Sequence, residues 1–154
     1  MAADLALPAT AASGPPAVAC VCTAVRRAGR ALTRRYDEAL RPSGLATTQY
    51  ALLSTLARAG GPLPHHRLAA MQEMAGTTLS RNLKPLERQG LVRVAAGDDR
   101  RTRFVAITAE GEAALARARP LWRSVQAEVV AELGEERAAR LLAELADLLD
   151  RIRA

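Results

Sequence analysis

Aromatic side chains are scarce in this chain of 154 residues: one Trp, one Phe and two Tyr, 3% in all. Cages for quaternary cations and stacking platforms for single strands both need several rings, so the composition argues against either. Lysine is nearly missing; Lys84 is the only one, and arginine carries the rest of the positive charge. No apolar run reaches the roughly 18 residues that a bilayer-spanning helix needs. Cysteine occurs only at Cys20 and Cys22, with no distant partner, which argues against a disulfide scaffold and for a cytoplasmic protein with reduced thiols. Residues 1–17 are Ala/Pro-rich, without Lys or Arg. They lack the basic start of a secretory signal and are predicted to be a disordered tail. No Gly-rich phosphate loop follows a strand, no nucleophile elbow is present, and no paired carboxylates converge, so no enzyme chemistry is expected. His65-His66 has no Cys, Asp or Glu close in sequence to complete a tetrahedral site, so neither metal nor cofactor is expected there.

Hydrophobic residues make up 49% of the chain, enough for an aliphatic helical core built on Ala and Leu. The net charge of +6 favours an anionic partner. A series Val18, Cys22, Val25, Gly29, Leu32, Tyr36, Leu40 advances by threes and fours, one face of a long helix that Pro42-Ser43-Gly44 ends. Thr47 or Thr48 is expected to cap a second helix carrying Tyr50, Leu52, Leu53 and Leu56. A third starts near Pro64 with Leu68 and Met71 inward. A fourth runs from about Thr77 to Gln89 with Leu79, Leu83 and Leu86 inward and Gly90 closing it. The period then changes to two. Leu91–Val94 and Thr102–Thr108 read as strands around a charged tip, Gly97-Asp98-Asp99-Arg100-Arg101. Thr108 is placed to cap a fifth helix, which Pro120 is expected to kink and Gly134 to stop. A last helix carries Ala138, Leu141, Leu145, Leu148 and Ile152.

The predicted fold is mostly α with a small β-hairpin wing. A winged helix-turn-helix domain spans 45–108, and helices at 18–44 and 109–154 flank it. Those outer helices have more apolar face than so small a centre can cover, so they are assigned to dimerisation, and the chain to a homodimer.

Helices three and four form a helix-turn-helix pair, and the fourth has a reader's composition. Thr77, Thr78, Ser80, Arg81, Asn82 and Lys84 fall between the core leucines, and Arg and Asn side chains match the edges of guanine and adenine. A solvated helix face is the alternative on spacing alone. The hairpin strengthens the first reading, because Arg100, Arg101 and Arg103 can reach phosphates or a narrow minor groove. Asp99, two residues from Arg101, is placed to steady it; a surface ion pair on a turn is the plainer reading. The His65-His66 pair is read as solvated, with a DNA phosphate near Arg67 as its possible contact.

The runs Leu86-Glu87-Arg88-Gln89-Gly90-Leu91-Val92-Arg93, Asp98-Asp99-Arg100-Arg101 and Ile107-Thr108-Ala109-Glu110-Gly111 strongly resemble the winged-helix repressors of the multiple antibiotic resistance regulator (MarR) family. Thr77 to Leu86 is similar to that family's reader helix, and the resemblance runs from about Val18 to Ile152. It implies a homodimer on double-stranded DNA at a pseudo-palindromic operator, with reader helices in successive major grooves and wings in minor grooves. It also implies release by an inducer or an oxidant. Ala75-Gly76 departs from the family's usual capping polar residue and arginine, which puts the strength or preference of DNA binding in question. For the signal, the family implies a small aromatic or phenolic ligand held between the dimer helices and the reader domain. The alternative is an organic-hydroperoxide or other oxidant sensor using Cys22, which stands where that branch of the family has its reactive cysteine. Tyr36 resembles a tyrosine that orients the thiol there. Thr47 and Arg26 stand where further aromatics are expected, and a buried small hydrophobe is the plain reading of Cys22. Cys20 is a further redox-sensing candidate; on a helix it points away from Cys22, which excludes a relaxed intrachain disulfide unless the segment frays and leaves an intersubunit or mixed disulfide open. A winged-helix adaptor that binds protein instead of DNA is the remaining alternative.

Overall fold

The computed structural model describes residues 20–97 and 102–153. Six α-helices and three short strands follow in the order α1 (Val21–Leu40), α2 (Thr47–Ala59), β1 (Leu63–Pro64), α3 (His65–Met71), α4 (Gly76–Arg88), β2 (Val92–Ala96), β3 (Arg103–Ile107), α5 (Ala109–Leu133) and α6 (Glu135–Arg153). The mostly helical architecture with a hairpin wing is therefore present, and the chain divides into two units after Leu32. In the first, every residue from 20 to 32 is exposed, including Val21 and Val25. Cys22 is itself exposed, as are Val25, Gly29 and Leu32 of the same stripe.

The second unit holds the core. Leu40, Leu52, Leu53, Leu56, Leu68, Leu79, Leu86 and Val105 are fully buried. They come from α1, α2, α3, α4 and β3, so one aliphatic cluster fixes the helix-turn-helix against the wing. The aromatics serve the same end: Tyr50 of α2 stacks on Trp122 of α5, with centroids 5.7 Å apart and planes 14° from parallel, an arrangement worth about 1 kcal/mol beyond burial. On the α1–α5 side Arg35 grips Glu132 through two contacts of 2.6 and 2.7 Å, and Tyr36 donates its hydroxyl proton to Gln126 Oε1 at 2.6 Å.

The start of α2 corrects the expected cap. Neither Thr47 nor Thr48 is the N-cap; Ala46 is, and it has no side chain to offer. Two side chains serve instead, one from the helix's own first turn and one from α1. Gln49 Oε1 accepts the Ala46 N–H at 2.9 Å, and Asp37 Oδ1, reaching from α1, accepts the Thr47 N–H at 2.7 Å. A carboxylate at a helix N-terminus is also favoured by the helix dipole. Thr47 Oγ1 is left buried without a partner.

Met71 is a second correction. It is 56% exposed, and Ala69 is buried beside Leu68 in its place. The reason is that α3 ends there: Met74 N–H returns to Ala69 O at 2.9 Å, and Glu73 adopts a left-handed φ of 50° that turns the chain out of the helix. Gln72 Nε2 donates to Thr55 Oγ1 at 2.9 Å, anchoring the turn to α2.

The sheet is antiparallel with order β1-β3-β2. β1 was not expected. Two residues are too short for a period to show, and Leu63 and Pro64 become a strand only because Val105 and Phe104 lie opposite. Val92 pairs with Ile107 and Ala96 with Arg103 across the hairpin. α5 runs unbroken through Pro120 to Leu133. In α6 only Ala138 is buried, while Leu141, Leu142, Leu149 and Ile152 are exposed.

Candidate nucleic-acid interface

The reader helix is held from behind by leucine and left open in front. Leu79, Leu83 and Leu86 recur at spacings of four and three and are buried. Thr77, Thr78, Arg81 and Lys84 occupy the other side and are exposed. Among the described residues no acid pairs with Arg81 or Lys84. Their charge stays available to an outside anion.

Two of the expected contact residues differ from the outward placement. Ser80 is half-buried, with its Oγ 3.0 Å from His65 Nε2. Asn82 is half-buried as well and directs its amide at Met74 Sδ, 3.7 Å away. Both lie at the flank where α4 meets α3 and its turn, so their polar groups are engaged within the domain. His65 is likewise not a solvated residue. Burial first, then Arg103 and His66, hold its pKa below the usual imidazole value. His66 and Arg67 are exposed.

The N-terminus of α4 has no side-chain cap: Ala75 is the N-cap residue, with extended φ and ψ of −62° and 145°. The C-terminus is closed on both sides of Gly90, which takes a φ of 71°. Gly90 N–H reaches Glu87 O at 3.0 Å and Leu91 N–H reaches Leu86 O at 2.9 Å, the paired bonds that stop a helix through a left-handed residue. Leu91 then enters the wing.

The wing's base is joined to α5 by Thr108-Ala109-Glu110-Gly111. Thr108 Oγ1 donates to Gly90 O at 2.6 Å and accepts from Gly111 N at 3.0 Å, and Thr108 N–H reaches Leu91 O at 3.1 Å. Thr108 is therefore the helix cap that its sequence position suggested. Gly111 is buried against the same loop, and a Cβ there would stand 2.1 Å from Leu91 O. The end of the reader helix, the root of the wing and the start of α5 are one hydrogen-bonded joint. Arg103 begins β3 and is exposed. Asp99, Arg100 and Arg101 lie outside the described residues.

Tyr36 sits half-buried with its hydroxyl on Gln126. Burial raises its pKa and the Arg35 charge works against that shift. In the separate N-terminal unit both thiols are free and exposed. Hydrogen bonds from Thr23, the side chain foremost, lower the pKa of Cys20.

Comparison with known proteins bears on this arrangement. The family model described as MarR family matches residues 43–102, from the loop before α2 to the start of the wing's return strand. The transcriptional regulator MosR of Mycobacterium tuberculosis, solved in complex with DNA, is 45% identical. The match covers 88% of this chain and 99% of MosR, with a TM-score of 0.76. The chain belongs to the MarR family. A probable transcriptional regulator from Pseudomonas aeruginosa is similar at 25% identity over 83% of this chain and 96% of its own, with a TM-score of 0.74. An uncharacterized HTH-type transcriptional regulator of Bacillus subtilis, YwoH, is 30% identical over 88 residues; that match covers 57% of this chain and 64% of YwoH.

Sequence reasoning missed the contacts that hold the elements of the second unit together: Asp37 on α2, His65 on Ser80, and Tyr36 on Gln126. Each joins residues on different elements, so no spacing along the chain announces it.

Proposed function

We propose that the chain is a homodimeric, sequence-specific DNA-binding repressor. The observation that carries this is the exposed basic and hydroxyl face of α4 on a buried leucine stripe, its cations without a paired acid among the described residues. Thr77, Thr78, Arg81 and Lys84 would meet the major groove, with Arg81 on a base edge and Lys84 on a phosphate. Arg103, and with it Asp99, Arg100 and Arg101 of the wing, would meet the backbone and minor groove. Ser80 and Asn82 reach a base only by leaving their internal partners, which makes them the weaker members of the set. The relative solved on DNA supports this assignment through its similarity. A second copy is the proposed cover for the open apolar side chains of α1 and, separately, of α6; removing them from water is the driving force for dimerisation.

The signal we assign is a small aromatic or phenolic ligand. A cleft of about 720 Å³ lined by Ala69, Met71, Glu73, Met74 and Arg153 supports it, since thioether and aliphatic walls beside a cation that an aromatic acid could take over from Glu73 suit such a ligand. Arg153 is held there by Glu73 at the turn before α4, so a ligand carboxylate competing for Arg153 would act next to the reader helix. The second reading, a thiol switch at Cys22, is favoured by the exposure of both cysteines, which admits an oxidant.

The test is binding of reduced protein to a duplex from its own upstream DNA across a salt series. Affinity that falls steeply with salt is expected, because phosphate contacts release counterions. Salt-independent or absent binding would leave the adaptor reading. Hydroperoxide release that Cys22→Ser abolishes would select the thiol switch over the ligand.

A further inference from the structure

Beside the reader helix, α3 and the wing bring protonatable and basic side chains to one small cleft. His65 and His66 from the start of α3 and Thr102 and Arg103 from the start of β3 line a volume of about 240 Å³. The His65 ring is seated on α4. Its Nε2 lies 3.0 Å from Ser80 Oγ, and its Cε1 lies 3.6 Å from the place of a Cβ on Gly76. Gly76 and Ser80 are one helical turn apart, so the ring lies along the first turn of the reader helix, and the bare glycine leaves it room.

Among the described residues, the charged and titratable groups that act on His65 are Arg103 from β3 and His66 from α3, and α4 offers it the neutral Ser80 hydroxyl. Among the described residues no carboxylate pairs with Arg103 or with either histidine. The cleft thus gathers, among the described residues, one fixed cation and two imidazoles without an acid, the chemistry of an oxyanion site. In a helix-turn-helix the first helix crosses the nucleic-acid backbone while the second enters the groove, which brings α3 to a phosphodiester.

We propose that the cleft between His65, His66 and Arg103 receives a backbone phosphate of the DNA duplex, and that duplex binding draws one proton from solvent onto His65. This rests on the DNA-binding reading above. Without the phosphate, burial and the Arg103 charge disfavour the imidazolium; the phosphate's negative charge reverses that balance. The imidazolium donates from both nitrogens, Nε2–H to Ser80 Oγ and Nδ1–H to the phosphate, so the contact also fixes the first turn of α4. Because the complex has the higher His65 pKa, the gain in affinity is full below the free-state pKa. It is lost as pH rises through the pKa of the complex.

The experiment uses the full chain and a duplex from its own upstream DNA, at constant ionic strength, from about pH 8 to about pH 5.5, a window that brackets imidazole titration. Wild type is compared with His65→Gln, which can hydrogen-bond Ser80 but cannot titrate. The imidazole signals of the two histidines are followed by NMR in the wild type, with His66→Gln for assignment. The expected result is affinity that rises about threefold or more on acidification, a slope flattened in His65→Gln, and a His65 pKa that rises on adding duplex. A slope that His65→Gln retains, or a His65 pKa that duplex leaves unmoved, overturns the proposal; the NMR arm needs no variant at position 65 to fold. If no duplex binds, the DNA reading itself fails. Inorganic phosphate then separates the remaining cases: a shifted His65 marks a free-phosphate site in place of a backbone contact, and an unshifted one removes the site.

Discussion

Replacing Gly111 with alanine tests the joint between reader helix, wing and α5 most directly. The added methyl would stand 2.1 Å from Leu91 O, 2.8 Å from Ile107 Cγ1 and 3.0 Å from Leu91 C. The nearest of these is backbone, so no rotamer change relieves it. Leu91 must retreat by more than an ångström, and Leu91 O is the acceptor for Thr108 N–H. Overpacking of this kind costs about 1–3 kcal/mol, and weakening the Leu91–Thr108 bond adds about 1 kcal/mol. Alanine's better helix propensity returns about 1 kcal/mol. The net loss expected is about 2 kcal/mol, or roughly 4–8 °C in Tm for a chain of this size. The assay is urea and thermal unfolding at one fixed protein concentration, since association shifts apparent stability. Gly61→Ala is the control. A Cβ there meets nothing within 4 Å, so the change is expected to be neutral or stabilising by up to about 1 kcal/mol. A Gly111→Ala protein as stable as wild type would refute the reasoning, because the close approach would then not constrain the joint.

Thr108→Val removes both the bond to Gly90 O and the cap on Gly111 N, and a loss of about 1–2 kcal/mol in the same urea series is expected. Lys84→Ala should lower the salt slope of duplex binding by about 1.8, one phosphate contact from each protomer of the dimer, while leaving sequence preference unchanged. Arg81→Ala should cost about 1–3 kcal/mol per half-site and relax preference at one position in each; fluorescence anisotropy with operator variants separates the two, and equal effects on all sequences from Arg81→Ala would deny it a base contact. Thr23→Val should slow iodoacetamide alkylation of Cys20 near neutral pH. The Thr23 hydroxyl holds that thiol's pKa down, and losing it raises the pKa and shrinks the thiolate fraction. An unchanged rate by mass spectrometry would show that the hydroxyl does not set the reactivity of Cys20.

How far the primary structure spoke depended on the range of the interaction. Leu79, Leu83 and Leu86 could be read as inward because a helix repeats every 3.6 residues, whatever it packs against. Thr108 was legible as a cap because the capping hydroxyl and its donor, Gly111 N–H, lie three residues apart. The same logic failed at α2. Thr47 and Thr48 have the right chemistry, but Ala46 holds the cap position and Asp37, ten residues upstream, supplies the carboxylate. It failed for Met71, where a left-handed Glu73 ends the helix one turn early.

For the candidate site, local periodicity identified the helix, and its exposed members Thr77, Thr78, Arg81 and Lys84 followed from the leucine stripe. Ser80 and Asn82 could not be sorted this way, because His65 and Met74 reach them only after α3 folds back on α4. The sequence by itself determined which segments become helix or wing and which faces are apolar, since backbone sterics and side-chain spacing act over a few residues. Tertiary structure alone decided which polar groups remain free for a partner, since hydrogen bonds between elements depend on distances that the order of residues does not contain.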